Sequence, residues 1–434
     1  MSSVRGGPPG LVRVGGGRRR RGLALATSGL LASGLLAACG SSGGKPELTW
    51  YINPDAGGQA AVAEACSTDE FTITTQVLPQ DASQQRIQLV RRLAAGDQEI
   101  DLMSIDPPFT AEFASAGYLA DIPQDLQQKF KDQSFDSAAT AATWEDELVV
   151  APFWSNTQVL WYRKSFVDKT DLDMSQPVTW DQIIKAASEN DGKVAVQANK
   201  YEGYAVWINA LISGAGGDIA TDTEAGADAQ IDIASEAGQE AAAVVEELSS
   251  SSAAPSDLSV SNEGTAAATF QGDSGAFMVN WTFIWGNYGD DQLGGDIGYA
   301  PYPATVEGEE SRPPYGGIGI GVSEFSDDKD LAVQALECLT SPENQALNAE
   351  LTGNMPSSSA GYDAPKVKEL FPPDLIALFQ QSLQRAAPRT LTPYWSDISG
   401  AIQSIWHPPS GVSDQTPDKS KTFIEDVLQG RSLL

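Results

Sequence analysis

Aromatic rings stand beside hydrogen-bonding side chains at several points in this sequence: Trp154-Ser155-Asn156, Asn280-Trp281 and Tyr394-Trp395, with Asp106 closing the run 100–105. These residue types together suit a polyhydroxylated ligand. The C–H faces of a sugar stack on aromatic rings, while planar carboxylate, carboxamide and guanidinium groups bind neighbouring hydroxyls in pairs. Trp50, Trp161 and Trp207, taken singly, read as core rather than platform. Asp106 reads equally as a helix N-cap or a ligand contact. Bond-breaking chemistry has less support. A serine or cysteine nucleophile needs a base, and the sole histidine, His407, sits in Trp406-His407-Pro408-Pro409, the context of a turn or cap. The string Gly316-Gly317-Ile318-Gly319-Ile320-Gly321 lacks the Lys-Ser/Thr of a phosphate loop and the dinucleotide fingerprint, so it reads as a strand with close backbone approach. A glycoside hydrolase needs two carboxylates about 5–10 Å apart. Among 58 acids a pair such as Asp106 and Glu263 can always be imagined, so abundance carries no weight. One histidine and three cysteines leave little for a transition-metal site, and no cofactor is expected.

Strands and helices must alternate to position these residues. Strands are expected over 47–52, 71–78 and 100–105, and helices over 57–66 and 81–95, the second with Ile87, Val90, Leu93 and Ala94 at helical spacing. This β-α-β opening implies a largely parallel sheet covered on both faces. A helix over 109–116 follows, then two strands, 148–153 and 157–162, separated by Trp154-Ser155-Asn156, where the chain would leave one lobe. Thr179 is placed to cap a helix; Val194-Ala195-Val196-Gln197-Ala198-Asn199 and an apolar helix over 204–211 come next. Ser235 is placed to cap a helix that the serines 249–252 end, 252–259 reads as loop, and Ser341-Pro342-Glu343 has the composition of a helix start. No internal repeat interrupts the pattern, which reads as two α/β lobes.

Residues 1–38 read as a secretory signal peptide: an Arg-rich stretch ends at Arg21, and an Ala, Leu and Gly run follows. It closes as Leu36-Ala37-Ala38-Cys39-Gly40, which resembles the lipobox of bacterial lipoproteins and makes Cys39 the lipidation site. The four-arginine run leaves a twin-arginine export route open beside the general one. Residues 39–45 form a flexible, lipidated Gly/Ser tether, and nothing beyond resembles a transmembrane span. Cys66 and Cys338 then read as a disulfide in an exported protein or as two separate reduced thiols. The chain carries 27 Lys+Arg against 58 Asp+Glu, net −31, and six of those arginines lie in the first 38 residues, which contain no acid. The remainder is therefore more acidic still, which argues against nucleic acid and anionic headgroups as partners.

Four stretches resemble the extracellular solute-binding proteins of carbohydrate ABC importers, family 1: Asp101-Leu102-Met103-Ser104-Ile105-Asp106, Val159-Leu160-Trp161-Tyr162-Arg163-Lys164, Phe270-Gln271-Gly272-Asp273-Ser274-Gly275-Ala276-Phe277-Met278 and Leu339-Thr340-Ser341-Pro342-Glu343-Asn344-Gln345. Within that family the likeness is nearest to the mycobacterial trehalose-binding lipoproteins. It is carried by Gln85-Arg86-Ile87-Gln88-Leu89-Val90-Arg91-Arg92-Leu93, Thr110-Ala111-Glu112-Phe113-Ala114, Asn156-Thr157-Gln158-Val159-Leu160-Trp161-Tyr162-Arg163, Val196-Gln197-Ala198-Asn199, Asn262-Glu263-Gly264 and Val279-Asn280-Trp281.

The resemblance implies an α/β, two-lobed periplasmic-binding-protein-like fold of class II type, with the ligand cleft between lobes. Lobe 1 would comprise 46–157 with 301–340, and lobe 2 158–300 with 341–434. It implies a non-enzymatic receptor that delivers a disaccharide, trehalose first and maltose as rival, to membrane-embedded permease subunits with their cytoplasmic ATPase. The receptor would be a monomer, lipid-anchored on the extracellular face of the cytoplasmic membrane. The positions that match the relatives' sugar contacts are Asp106, Asn156, Glu263, Trp281 and Arg389. Gly317 and Ile318 match a strand that could offer a backbone N–H, and Asn53 and Asp55 lie in a loop that departs from the relatives' pattern. Cys66 and Cys338 fall where the relatives have a cysteine pair, which implies a Cys66–Cys338 disulfide.

Overall fold

The computed structural model describes residues 45–286 and 293–434. The expected signal peptide, the lipidated Cys39 and the tether up to Gly44 lie outside the described residues. Strands β1 (Glu47–Ile52), β2 (Thr72–Val77) and β3 (Leu102–Ile105) form the expected parallel opening, with β1 between the other two. Helices Gly58–Cys66 and Ala82–Leu93 make the crossovers. Asp81 caps the second by accepting the Gln84 N–H at 2.9 Å, so that helix starts at the carboxyl end of β2.

A short hairpin of β4 (Thr143–Trp144) and β5 (Glu147–Leu148) leads into β6 (Ala151–Arg163). Here the structure corrects the sequence reading. Trp154, Ser155 and Asn156 do not separate two strands; they pair with Ile318, Gly317 and Gly316 inside one continuous strand. Polar Ser155 and Asn156 resemble a break when read locally, but their ladder partners come from a strand about 160 residues away. The register shifts between Ile318 and Gly319, beside Pro152, an accommodation that a proline in a strand needs.

The remaining strands are β7 (Lys193–Ala195), the small hairpin β8 (Ala220–Thr221) and β9 (Gln230–Ile231), β10 (Gly275–Trp281), β11 (Ile297–Ala300) and β12 (Tyr315–Val322). The main sheet runs β2-β1-β3-β12-β6-β10-β7, with β11 also on β6. Residues 151–157 of β6 pair with β12, and residues 158–163 pair with β10 and β11. One strand therefore serves two half-sheets.

Trp50, Trp161 and Trp207 are fully buried, as expected of core residues. Thr179 and Gln182 form a capping box, and Ser341 accepts the Asn344 N–H. Ser235 stands at the start of helix Glu236–Ser250, yet its hydroxyl makes no cap bond and is buried without a partner. The helix start there rests on the Gln239 N–H reaching the Ser235 carbonyl at 3.1 Å. Cys66 and Cys338 are disulfide-bonded, joining the end of helix Gly58–Cys66 to helix Lys329–Leu339. Among the described residues, no helix is long and apolar enough to cross a membrane.

Candidate functional site

Strand direction decides where side chains converge. β12 is antiparallel to both β3 and β6, so β6 runs parallel to β3 and leaves the first half-sheet past the carboxyl ends of β1 and β3. In the second half-sheet β10 runs back against β6 and ends at Trp281, opposite Gln158, with β7 parallel to it. The carboxyl ends of both half-sheets thus face one junction. In open α/β sheets this is where ligands bind. Asn53 follows β1, Asp81 lies four residues beyond β2, and Asp106 follows β3; from the opposite side come Tyr201 and Glu202, past β7, and Trp281. Asn156 lies on the crossing strand itself.

Arg389 is the most deeply placed member of the ion-paired group at this junction, its side chain only 4% exposed. Nη2 donates to Asp106 Oδ1 at 2.9 Å and Nη1 to Glu202 Oε1 at 3.0 Å. Glu202 also accepts from Trp395 Nε1 at 2.8 Å and from the Ser399 hydroxyl. Burial pushes the Asp106 and Glu202 carboxyls above the usual range, with the Arg389 charge opposing. Burial pulls Arg389 down, but the two carboxylates outweigh it and hold the guanidinium charged. Asp106 occupies the N-cap position of the turn Pro107–Phe109 without making a side-chain cap bond. Of its two expected roles, N-cap and ligand contact, the side chain does not fill the first; it forms an ion pair with Arg389 instead.

A second group surrounds the crossing strand. Asn156 Nδ2 donates to Asn354 Oδ1 at 3.2 Å, and the Thr282 hydroxyl donates to Asn156 Oδ1 at 3.3 Å. The Trp281 ring lies over Gly316, so closely that a Cβ there would sit 2.7 Å from the indole. Gly317 has φ 138°, and a Cβ on it would fall 2.2 Å from the Trp154 carbonyl oxygen, so only glycine fits. Gly317 and Ile318 lie beyond the last β3 partner of β12, Ile105 opposite Gly319, and thus border the Asp106 end of the junction. Ile318 itself packs into the core.

Glu263 opens helix Glu263–Gln271, and the Asn280 carboxamide donates to its backbone carbonyl at 3.0 Å. Burial raises its carboxyl above the usual range and Asp81 adds to this, while its own backbone N–H, Tyr201 and Trp281 oppose. Glu263 therefore senses the Asp81 charge across the junction, the two residues coming one from each half-sheet.

The loop residues Asn53 and Asp55 bond within their own segment. Asp55 spends both oxygens locally, on the Gly57 N–H at 2.8 Å and the Gln59 N–H at 2.9 Å. The Asn53 carbonyl accepts from Gln59 Nε2 at 2.8 Å, while its side-chain Oδ1 is buried without a partner. Two expected aromatic platforms are core: Trp154 and Trp395 are buried, and the Trp395 N–H is spent on Glu202. His407 ends helix Trp395–Trp406 and its Nε2 meets the Ser259 carbonyl at 2.8 Å, the structural role that its turn context suggested.

Asp81, Tyr201, Glu202, Thr282 and Asn354 were not foreseen. A signal for Glu202 existed: it is the one charged residue in the largely apolar helix Glu202–Gly214. Asp81 had a signal too, its place a few residues past the carboxyl end of a parallel strand. Asn354 has no local signal, because only the fold brings it to Asn156.

The sequence profile described as bacterial extracellular solute-binding protein matches residues 49–346. Among solved structures, maltose-bound MalE3 of T. maritima is 22% identical, with a TM-score of 0.76 over 89% of this chain and all of that one. The GacH receptor of Streptomyces glaucescens, solved unliganded and with acarbose, is 20% identical, with a TM-score of 0.73 over 89% of this chain and 98% of that one. The cyclic alpha-maltosyl-1,6-maltose binding protein from Arthrobacter globiformis is 21% identical, with a TM-score of 0.69 over 89% and 100%. The two-lobed α/β fold is shared with these proteins.

Proposed function

This chain belongs to the bacterial extracellular solute-binding proteins, and from that premise we propose that it is a lipid-anchored sugar receptor that hands a disaccharide to an ABC permease. The observation that carries this reading is the convergence of Asp106, Arg389, Asn156, Trp281 and Glu263 on the junction between two sets of strand ends. Asp106, Asn156 and Glu263 share hydroxyl hydrogen bonds, Trp281 stacks on one sugar ring, and Arg389 bridges two hydroxyls with its fork. Gly317 and Ile318 offer backbone groups at the same edge, and Asn53 and Asp55 shape the loop wall. No bond is broken. A disaccharide that leaves water needs nearly all of its hydroxyls satisfied, since each unpaired buried group costs about 1–3 kcal/mol.

Trehalose is the first ligand in this reading, supported by the resemblance of 156–163 and 262–264 to the trehalose-binding lipoproteins. Maltose is its rival, since the loop 53–57 can shift preference between two glucose disaccharides without altering the frame. The lobes, 46–157 with 301–340 and 158–300 with 341–434, close on the sugar, and diacylglycerol on Cys39 keeps the receptor at the membrane. Calorimetric titration of soluble residues 40–434 with each sugar tests the reading. Saturable micromolar or tighter binding to trehalose supports it; heat from maltose alone moves the ligand, and silence toward both sinks the disaccharide assignment.

A further inference from the structure

We propose that Glu202 is the positioning residue for Arg389, locking its guanidinium in one plane so that it meets the ligand pre-oriented; this rests on the sugar-receptor reading above. Glu202 is 5% exposed, at the first turn of a helix whose other buried residues are almost all apolar. A carboxylate in such surroundings is costly unless it is fully engaged. Glu202 is: Oε1 accepts from Arg389 Nη1 and Trp395 Nε1, and Oε2 accepts from the Ser399 hydroxyl. Its place at a helix N-terminus favours the same charge. Trp395 and Ser399 stand one turn apart on helix Trp395–Trp406, so that helix fixes the carboxylate from one side while the arginine meets it from the other.

The two carboxylates on Arg389 are not equivalent. The Asp106 side chain is 20% exposed and belongs to the opposite half-sheet, whereas that of Glu202 is 6% exposed and is held besides by Trp395 and Ser399 of one helix. Asp106 is thus open to exchange Arg389 for sugar hydroxyls, and Glu202 is not. Arg389 Nε is buried without a partner, so the guanidinium has two anchors, and Glu202 is the one that remains when Asp106 turns to a ligand. A planar fork recognises paired hydroxyls only if its plane is held.

The test compares the compact unit from Lys45 onward as wild type, Glu202→Ala, Glu202→Gln, Arg389→Lys and the Glu202→Ala/Arg389→Lys pair, titrated with trehalose and maltose. Glu202→Ala is expected to weaken binding about tenfold or more, the scale of one lost hydrogen bond to a charged group. Gln keeps an acceptor for Nη1 and the indole, so Glu202→Gln is expected to recover to within about threefold of wild type. Once Arg389 is lysine, Glu202→Ala should cost less than about twofold more. A folded Glu202→Gln as weak as Glu202→Ala, or a Glu202→Ala cost undiminished beside Arg389→Lys, overturns the proposal. Should Glu202→Ala not fold, Ser399→Ala replaces it, with a loss of about threefold expected in wild type and none beside Arg389→Lys; equal losses overturn the proposal.

A second arm needs no sugar. In the unliganded protein the Arg389 Nε–H resonance, identified by its loss in Arg389→Lys, should be narrow in wild type and Glu202→Gln, and broadened in Glu202→Ala or Ser399→Ala. An unchanged resonance in those last two variants overturns the positioning role. If wild type binds neither sugar, the disaccharide reading fails while this arm still decides whether Glu202 holds the arginine.

Discussion

Arg389 Nη2 stands 2.9 Å from Asp106 Oδ1, although the two residues are 283 positions apart. Asp106 is the first residue past β3, and Arg389 follows a segment tied to the start of β12, where the Tyr315 N–H reaches the Ala387 carbonyl and the Ala387 N–H reaches the Pro313 carbonyl. The ion pair therefore bolts the C-terminal region to the strand ends of the first half-sheet. In the proposed receptor a ligand that enters substitutes its hydroxyls for part of this pair, so affinity is a difference between two sets of hydrogen bonds and not a sum over new ones.

Asp106→Ala should reveal both sides of that difference. It leaves Arg389 with Glu202 as its one remaining carboxylate and should lower stability by about 1.5–3 kcal/mol in urea unfolding. Disaccharide binding should fall at least about tenfold, since the lost acceptor is also a proposed ligand contact. Asp106→Asn, which keeps an acceptor oxygen, should lie between. Wild-type affinity in a folded Asp106→Ala removes Asp106 from the site.

Gly316→Ala should act through Trp281. The added Cβ would lie 2.7 Å from the indole, below any normal contact, so the ring must move from the position proposed for stacking on sugar. Binding should weaken about three- to tenfold, the scale of one aromatic contact, with a change in tryptophan fluorescence before ligand is added. Trp281→Ala should then cost little more in the Gly316→Ala background. Fully additive losses would show that the glycine matters for some other reason.

These strands and helices were legible because each is a local pattern: alternation in Glu47–Ile52, helical spacing in Ala82–Leu93 and the cap at Thr179. The continuity of β6 was not, since Ser155 and Asn156 become strand only through Gly317 and Gly316. The same distinction governs the site. Asp106 marks the end of a strand that the sequence shows and Trp281 stands in a stretch that carries the family resemblance, whereas the Asn156–Asn354 and Glu202–Arg389 contacts are products of tertiary pairing. Trp395 misled because composition cannot tell an indole that faces ligand from one whose N–H is spent on a buried carboxylate.

Reducing the Cys66–Cys338 bond should destabilise the body without abolishing the site. The bond closes a loop spanning 272 residues, and cross-links of this kind contribute roughly 2–5 kcal/mol. Cys66→Ser/Cys338→Ser should unfold at lower urea yet bind sugar normally where it is still folded, because the bond joins helix ends away from the strand-end junction. A loss of affinity in the folded double variant would mean that the bond, through helix Gly58–Cys66, also sets the geometry of the loop 53–57 at that helix's other end.

Glu263 supplies the pH dependence with the clearest sign. Its carboxyl lies above the usual range in the folded state, first through burial and also through Asp81, against the pull of Tyr201 and Trp281. The folded state therefore binds that proton more tightly than the unfolded chain does. The associated stability is present below the ordinary glutamate value of about 4.3 and is lost as pH rises through the higher folded value. Asp97, lowered chiefly by Arg92, works in the opposite sense, so the whole-protein curve mixes both. The difference between Glu263→Gln and wild type isolates the one group. Glutamine mimics the neutral acid, so the variant should gain stability relative to wild type between about pH 4 and pH 7, read as a rising difference in urea midpoint. A difference that stays flat over that interval would mean that Glu263 titrates alike in both states, and one that falls would mean that an unseen positive group pairs with its carboxylate.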